Sequence, residues 1–159
     1  MFEAADFVLL SHAGFIGNQR YWTSVPDDPN STAVRRRIAA RLAAVEKLVV
    51  SDRLTPADFA GWENTRVIPR AEAHETIGAI KREEGGDIVV FVSRLMWNDL
   101  LQHGLVDELH LTVFPLIAGD GVKIFSAQPQ VPVRLIDSRV LPGGGKVLLR
   151  YAVEPRAAA

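Results

Sequence analysis

Three polar stretches in this chain each follow an apolar run, and each carries side chains that could do chemistry. Ser11 and His12 close the run at residues 7–10; Ser51, Asp52 and Arg53 close residues 48–50; Ser93 and Arg94 follow DIVVFV at residues 87–92. A serine on a strand-to-helix turn is where an α/β-hydrolase holds its nucleophile, but Ser93 lacks the flanking glycines of G-x-S-x-G, which disfavours acyl transfer. His12 is open to two readings, a phosphate-contacting imidazole or a solvated loop histidine. Ser51 is open to two as well, a ligand contact or the cap of a strand end. His74, His103 and His110 share no metal-binding spacing, and with no cysteine and no HExxH a metal site is not expected. Gly119-Asp120-Gly121 reads as a tight turn rather than a phosphate cradle, because no P-loop lysine and serine follow it. Trp22, Trp62 and Trp97 read as packing residues before stacking platforms.

The elements that must position these residues alternate. Residues 7–10 have strand length; Pro26-Asp27-Asp28-Pro29 is a turn cluster; Ser31 or Thr32 then caps a helix through ARLAAVE, with Val34, Ile38, Leu42 and Val45 on one buried face. Arg35, Arg36, Arg37 and Arg41 form that helix's solvated side. Residues 48–50 and Val67-Ile68 are strands. The spacing of Ala73, Ile77 and Ile80 predicts an amphipathic helix over residues 71–84, stopped by left-handed Gly85-Gly86. Residues 87–92 are apolar nearly throughout, as in a central strand buried on both faces. A short helix from Leu95 to His103 is stopped by Gly104, and Leu109, Leu111 and Val113 alternate as a strand. Residues 131–141 and 146–154 flank Pro142-Gly143-Gly144-Gly145 as an antiparallel hairpin. Strands separated by helices imply right-handed parallel crossovers, so the fold class is α/β: a mostly parallel central sheet, helices on both faces, and a C-terminal antiparallel hairpin.

Bulk properties narrow the function classes. The 159 residues suit one domain, read as residues 1–155 with a frayed tail at 156–159, and 48% hydrophobic with 23% charged residues is a composition that folds around its own core. A formal net charge of −1 supplies no field toward nucleic acid or anionic lipid, so neither partner is expected. No cysteine is present, which fits a reducing compartment. MFEAADFVLL has acids where a signal peptide needs basic residues, and no apolar run approaches the roughly 20 residues that span a bilayer. The expected location is cytoplasmic.

These residues carry a resemblance. Gly85-Gly86-Asp87-Ile88-Val89-Val90, then Gly104-Leu105-Val106-Asp107-Glu108-Leu109, then Pro115-Leu116-Ile117-Ala118-Gly119-Asp120-Gly121 are similar to the reductase domain of riboflavin biosynthesis and its dihydrofolate-reductase-like relatives. Ala5 to Leu10, Tyr21-Trp22 and Val49-Val50-Ser51 match earlier pieces of the same pattern, so the resemblance spans nearly the whole chain. It implies a dihydrofolate-reductase-like three-layer fold, a homodimer, and hydride transfer from NADPH, with NADH as the other possible donor, to a pterin-like or ribosylamino-pyrimidine substrate. The cofactor's place is then the carboxyl ends of the strands.

Three turns hold the cofactor in that family. Its Gly-Arg-x-Thr turn reads Ser11, His12, Ala13 and Gly14 here, so the glycine, the permanent cation and the hydroxyl have all changed. Its Ser-Arg pair for the 2′-phosphate reads Ser51 and Asp52, with Arg53 one residue later. Its Gly-Ser or Gly-Gly turn for the pyrophosphate reads Val92 and Ser93, with Arg94 and Leu95 opening the helix. The resemblance assigns no catalytic residue. The family also opens with a strand, a Leu-Asp-Gly loop and a helix that have no counterpart in these residues. A gap or an altered register is therefore expected between Val90 and Leu111, together with self-association or marginal stability. These changes leave a second expectation beside the reductase: a non-catalytic member serving as a weak nucleotide binder or a dimerisation module.

Overall fold

The computed structural model describes residues 4–126 and 131–154. They fall into two compact units, Met1–Ser93 and Arg94–Ala159. The expected tail at 156–159 lies outside the described residues.

The first unit is a parallel α/β layer. Strand β1 (Ala5–Ser11) runs into helix α1 (His12–Ser24), and helix α2 (Ala33–Ala44) leads to β2 (Glu46–Val50) and β3 (Thr65–Ile68). Helix α3 (Ala73–Ile80) then crosses to β4 (Asp87–Val90). All pairings are parallel, in the order β3-β2-β1-β4, with Leu9 opposite both Leu48 and Val90. Thr32 caps α2 by accepting the Arg35 N–H, as its sequence position suggested. Alternation along β1 and β2 sends Val8, Leu10 and Val49 to one face, where they join Phe15 of α1, Leu42 of α2, Leu54 and Trp62 in a buried core. Leu9 and Leu48, also fully buried, point the other way. By the right-handed rule for parallel crossovers, the connection from β3 back to β4 assigns α3 to that second face, and its Ala73, Ile77 and Ile80 are buried.

Three expectations are corrected here. The helix of residues 71–84 is regular only over Ala73–Ile80, and neither Gly85 nor Gly86 has a positive φ. Gly86 is small for a different reason: a Cβ there would lie 2.5 Å from the Ala4 carbonyl oxygen, where the chain passes β1. Val34, placed on the buried face of α2, is 56% exposed, because the first turn of that helix overhangs the core that Ala39 and Leu42 reach. Residues 87–92 do not form a central strand: β4 stops at Val90, pairs only with β1 among the described residues, and leaves Ile88, Val89 and Val90 half-buried. An apolar run reports an apolar setting and not the number of hydrogen-bonded neighbours.

The second unit has helix α4 (Arg94–Gln102) and a separate antiparallel sheet of β5 (Glu108–Val113), β6 (Val133–Val140) and β7 (Val147–Val153) in the order β5-β7-β6. Gly104 ends α4, as expected, and does so in the left-handed region at φ +68, with the Leu105 N–H reaching back to the Leu100 carbonyl. Gly143, Gly144 and Gly145 all take positive φ in the β6–β7 connection. β5 pairs only with β7 among the described residues, so β4 and β5 belong to different sheets.

Candidate functional site at the carboxyl ends of the parallel strands

The chain leaves β1 toward β2 on one side, while β4 lies on the other. In an open parallel sheet this reversal opens a crevice at the strands' carboxyl ends, between β1 and β4. Ser11 ends β1 and caps α1, accepting the Gly14 N–H on its Oγ at 3.2 Å. Ser93, past β4, reaches the same point: its Oγ accepts the Ser11 N–H at 3.0 Å and lies 3.0 Å from Ser11 Oγ. One hydroxyl proton fills the Ser11–Ser93 contact, and no hydrogen bond among the described residues takes the other.

The turn that delivers Ser93 is left-handed without glycine, at φ +54 for Val92 and +45 for Ser93. Such angles in non-glycine residues, one of them β-branched, are strained and are found where the surroundings over-determine them. The surroundings here are the first turn of α1. A Cβ on Gly14 would lie 2.5 Å from Ser93 Oγ and 3.4 Å from a methyl of Val92. Gly14 thus makes room for the β4 turn, and Val92 occupies the backbone region in which a glycine would be unstrained.

On the β2 side, Ser51 is buried and His12 Nδ1 lies 3.0 Å from its Oγ. The same oxygen accepts the N–H groups of Arg53 and Leu54, each at 3.1 Å, so Ser51 caps the turn after β2 and touches His12 at once. Asp52 turns outward: its carboxylate accepts the Arg70 N–H at 2.9 Å and pairs with the Arg70 guanidinium at 3.7 Å. Asp58 belongs to the neighbourhood too. Hydrogen bonds from the Thr55 N–H and hydroxyl hold its carboxyl below the usual carboxylate range, with a smaller contribution from His12.

The structure therefore brings Ser11, His12, Gly14, Ser51, Val92 and Ser93 together. Ala13 is exposed on α1. Arg94 and Leu95 open α4 in the second unit, where the Arg94 guanidinium donates to the Lys123 carbonyl and Leu95 is exposed. Sequence reasoning missed Arg70 as the partner of Asp52, which no spacing announces. It also missed Asp58, although Thr55-Pro56-Ala57-Asp58 has the capping-box spacing that would have placed that carboxylate. The donors at the crevice are hydroxyls, an imidazole and the N-terminal N–H groups of α1. That set suits a phosphate or ribose oxygen, and the helix dipole favours negative charge there.

The tryptophans pack. Trp62 is buried edge-on against Phe15 at 5.6 Å, Trp22 donates to Asn18 Oδ1, and Trp97 meets Phe125 at 5.9 Å. A cavity of about 350 Å³ lined by Trp22, Arg36, Ala39 and Trp62 brings together no acid–base pair. No helix of the described residues is long and apolar enough to cross a membrane.

The family model of the RibD C-terminal domain matches residues 1–149. No curated protein matches the chain. Among solved structures, it is similar to a Shewanella sp. PV-4 protein described as a riboflavin biosynthesis protein, at 15% identity and TM-score 0.62 over 97% of this chain and 77% of that one. It is similar to Acinetobacter baumannii RibD at 16% identity and TM-score 0.63, over 95% of this chain and 47% of that one, so it spans about half of that protein's length. A pyrimidine reductase-like protein of Corynebacterium diphtheriae aligns at 14% identity and TM-score 0.56, over 95% of this chain and 77% of that one. The fold is the dihydrofolate-reductase-like α/β fold of these domains.

Proposed function

The chain belongs to the RibD C-terminal domain family, and on that premise we propose that it is a nicotinamide-dinucleotide-dependent reductase whose hydride acceptor is a ribosylamino-pyrimidine or pterin-like ring. The observation that carries this reading is the crevice between β1 and β4, where the N-terminus of α1, Ser11, His12 and Ser93 present neutral donors at the reversal point of a parallel sheet. A bound nicotinamide supplies the hydride. The chain's own part is to hold the dinucleotide's oxygens and orient its ring against the acceptor.

Cofactor preference follows from the β2 turn. The Ser51 hydroxyl is buried and committed, and Asp52 holds Arg70, so a 2′-phosphate meets no free hydroxyl at Ser51. NADH therefore binds at least as well as NADPH. Calorimetric titration with both cofactors, then oxidation assays with pterin and pyrimidine acceptors, tests this. Saturable binding of neither would overturn the reductase reading, and a strong NADPH preference would overturn the account of the turn.

A second reading has its own support. Ser93 already accepts the Ser11 N–H and Ser11 already accepts that of Gly14, so the chain's own hydroxyls fill part of the anion position at α1. On this reading the domain is a weak nucleotide binder or a dimerisation module, and titration shows no saturable cofactor binding.

A further inference from the structure

The hydroxyl of Ser51 has a complete set of partners. A serine oxygen has two lone pairs and one proton. Both lone pairs of Ser51 Oγ are used, by the N–H groups of Arg53 and Leu54 at 3.1 Å each. Ser51 is only 3% exposed, so water offers its proton no alternative. The remaining contact is His12 Nδ1 at 3.0 Å. Were Nδ1 to carry a proton, Ser51 Oγ would face three donors with two lone pairs while its own proton lacked an acceptor. The Ser51 proton therefore goes to Nδ1, and the ring proton of His12 sits on Nε2. His12 is half-buried, and no hydrogen bond among the described residues reaches its Nε2.

We infer that Ser51 is a positioning residue that fixes His12 in the Nε2–H form, and that this N–H is the donor His12 presents to an acceptor oxygen of the bound dinucleotide. The donor role rests on the reductase reading above; the positioning role does not. The arrangement supplies direction where a guanidinium supplies charge: an imidazole held at one nitrogen aims the other along a fixed line.

Two measurements separate the parts. Long-range proton–nitrogen NMR of the full chain with labelled histidine, recorded well above the ordinary imidazole titration range, reads the tautomer of His12. Nε2 protonated with Nδ1 as acceptor is expected, and Ser51→Ala should give a mixture. A protonated Nδ1 in the wild type overturns the positioning role without any need for the variant to fold.

Calorimetric titration with NADH and NADPH reads the donor role. His12→Asn and His12→Ala should each weaken binding by about five- to tenfold, the loss of one neutral hydrogen bond. His12→Gln, which keeps an N–H near the Nε2 position, should retain more of the affinity than His12→Asn. Wild-type affinity in both His12→Asn and His12→Ala overturns the donor role. A wild type that binds neither cofactor overturns the reductase reading and the donor role together, and the NMR result still decides the role of Ser51.

Discussion

At the scale of single residues, two departures from the family's pattern, Gly14 and Val92, set the geometry where α1 meets the turn after β4. Gly14 stands where the pattern has a hydroxyl residue, and its missing Cβ is the space that Ser93 Oγ uses. Alanine is a better helix former than glycine by about 1 kcal/mol. At Gly14 the opposite sign is expected, because the new Cβ expels Ser93 from bonds each contributing about 0.5–1.5 kcal/mol. Gly14→Ala should destabilise the protein by about 1–2 kcal/mol net. Adding Ser93→Ala should recover part of that loss, and a double-mutant cycle read by urea unfolding measures the coupling. Val92 gives the converse case. Its side chain is 51% exposed, so little burial is lost in Val92→Gly, while release of a left-handed β-branched residue offsets the entropy of a glycine, about 0.5–1 kcal/mol. Val92→Gly should unfold within about 0.5 kcal/mol of the wild type, or later than it, in the same assay.

At the scale of elements, two buried polar side chains tie helices to their surroundings. Lys47 on β2 is fully buried, donates to the Leu42 and Ala43 carbonyls at the end of α2, and lies 5.5 Å from the centre of the Trp62 ring. It thus caps a helix C-terminus whose carbonyls would otherwise lack partners. Burial, opposed by Glu63 and Glu46, pushes its ammonium down to about 8 from 10.5. Between those values the unfolded chain binds more protons than the folded one, so stability rises as pH rises from about 8 to about 10.5. Below that window both states are protonated and the contribution is flat. The rise should total about 3 kcal/mol at most, and Lys47→Met should abolish it. Urea unfolding across the window checks both.

In the second unit, Asn98 is buried on α4. Its amide donates to the Arg94 and Ile124 carbonyls, and its oxygen accepts the Ser126 N–H at 2.8 Å. Asn98→Ala should cost about 1–3 kcal/mol by leaving these backbone groups unpaired. Hydrogen exchange should rise first in residues 124–126.

At the scale of the molecule, the second unit's sheet is amphipathic, and its apolar face is buried at Leu109 but exposed toward both edges. One face carries Glu108, His110 and Arg150, joined through Glu108 Oε2 at 2.9 Å to each partner. Val113, Val133, Leu135 and Val140 alternate onto the other face and are 46–70% exposed. β6, an edge strand, leaves one row of backbone groups unpaired among the described residues. Exposed apolar faces and open edges recruit other chains. We expect concentration-dependent self-association of this chain, seen by sedimentation, and its reduction by Leu135→Asp. A monomer at all concentrations would count against the homodimer that the family resemblance implies.

The sequence determined what depends on neighbours along the chain. Periodicity located α2, α4 and the β6–β7 hairpin; the Thr32 cap, the Gly104 stop and the glycines after Pro142 follow from local backbone preferences. The motif order of residues 85–121 carried the family. The tertiary structure decided everything that depends on which distant segments meet. β4 became an edge strand because pairing order is a property of the sheet. Gly86 was kept small by Ala4, and Gly14 by Ser93. Asp52 was turned to Arg70, and the hydroxyl of Ser51 was committed to two backbone N–H groups and His12. A residue type fixes how many hydrogen bonds a group can make, but only the fold fixes which partners use them, and that allocation gives His12 its tautomer.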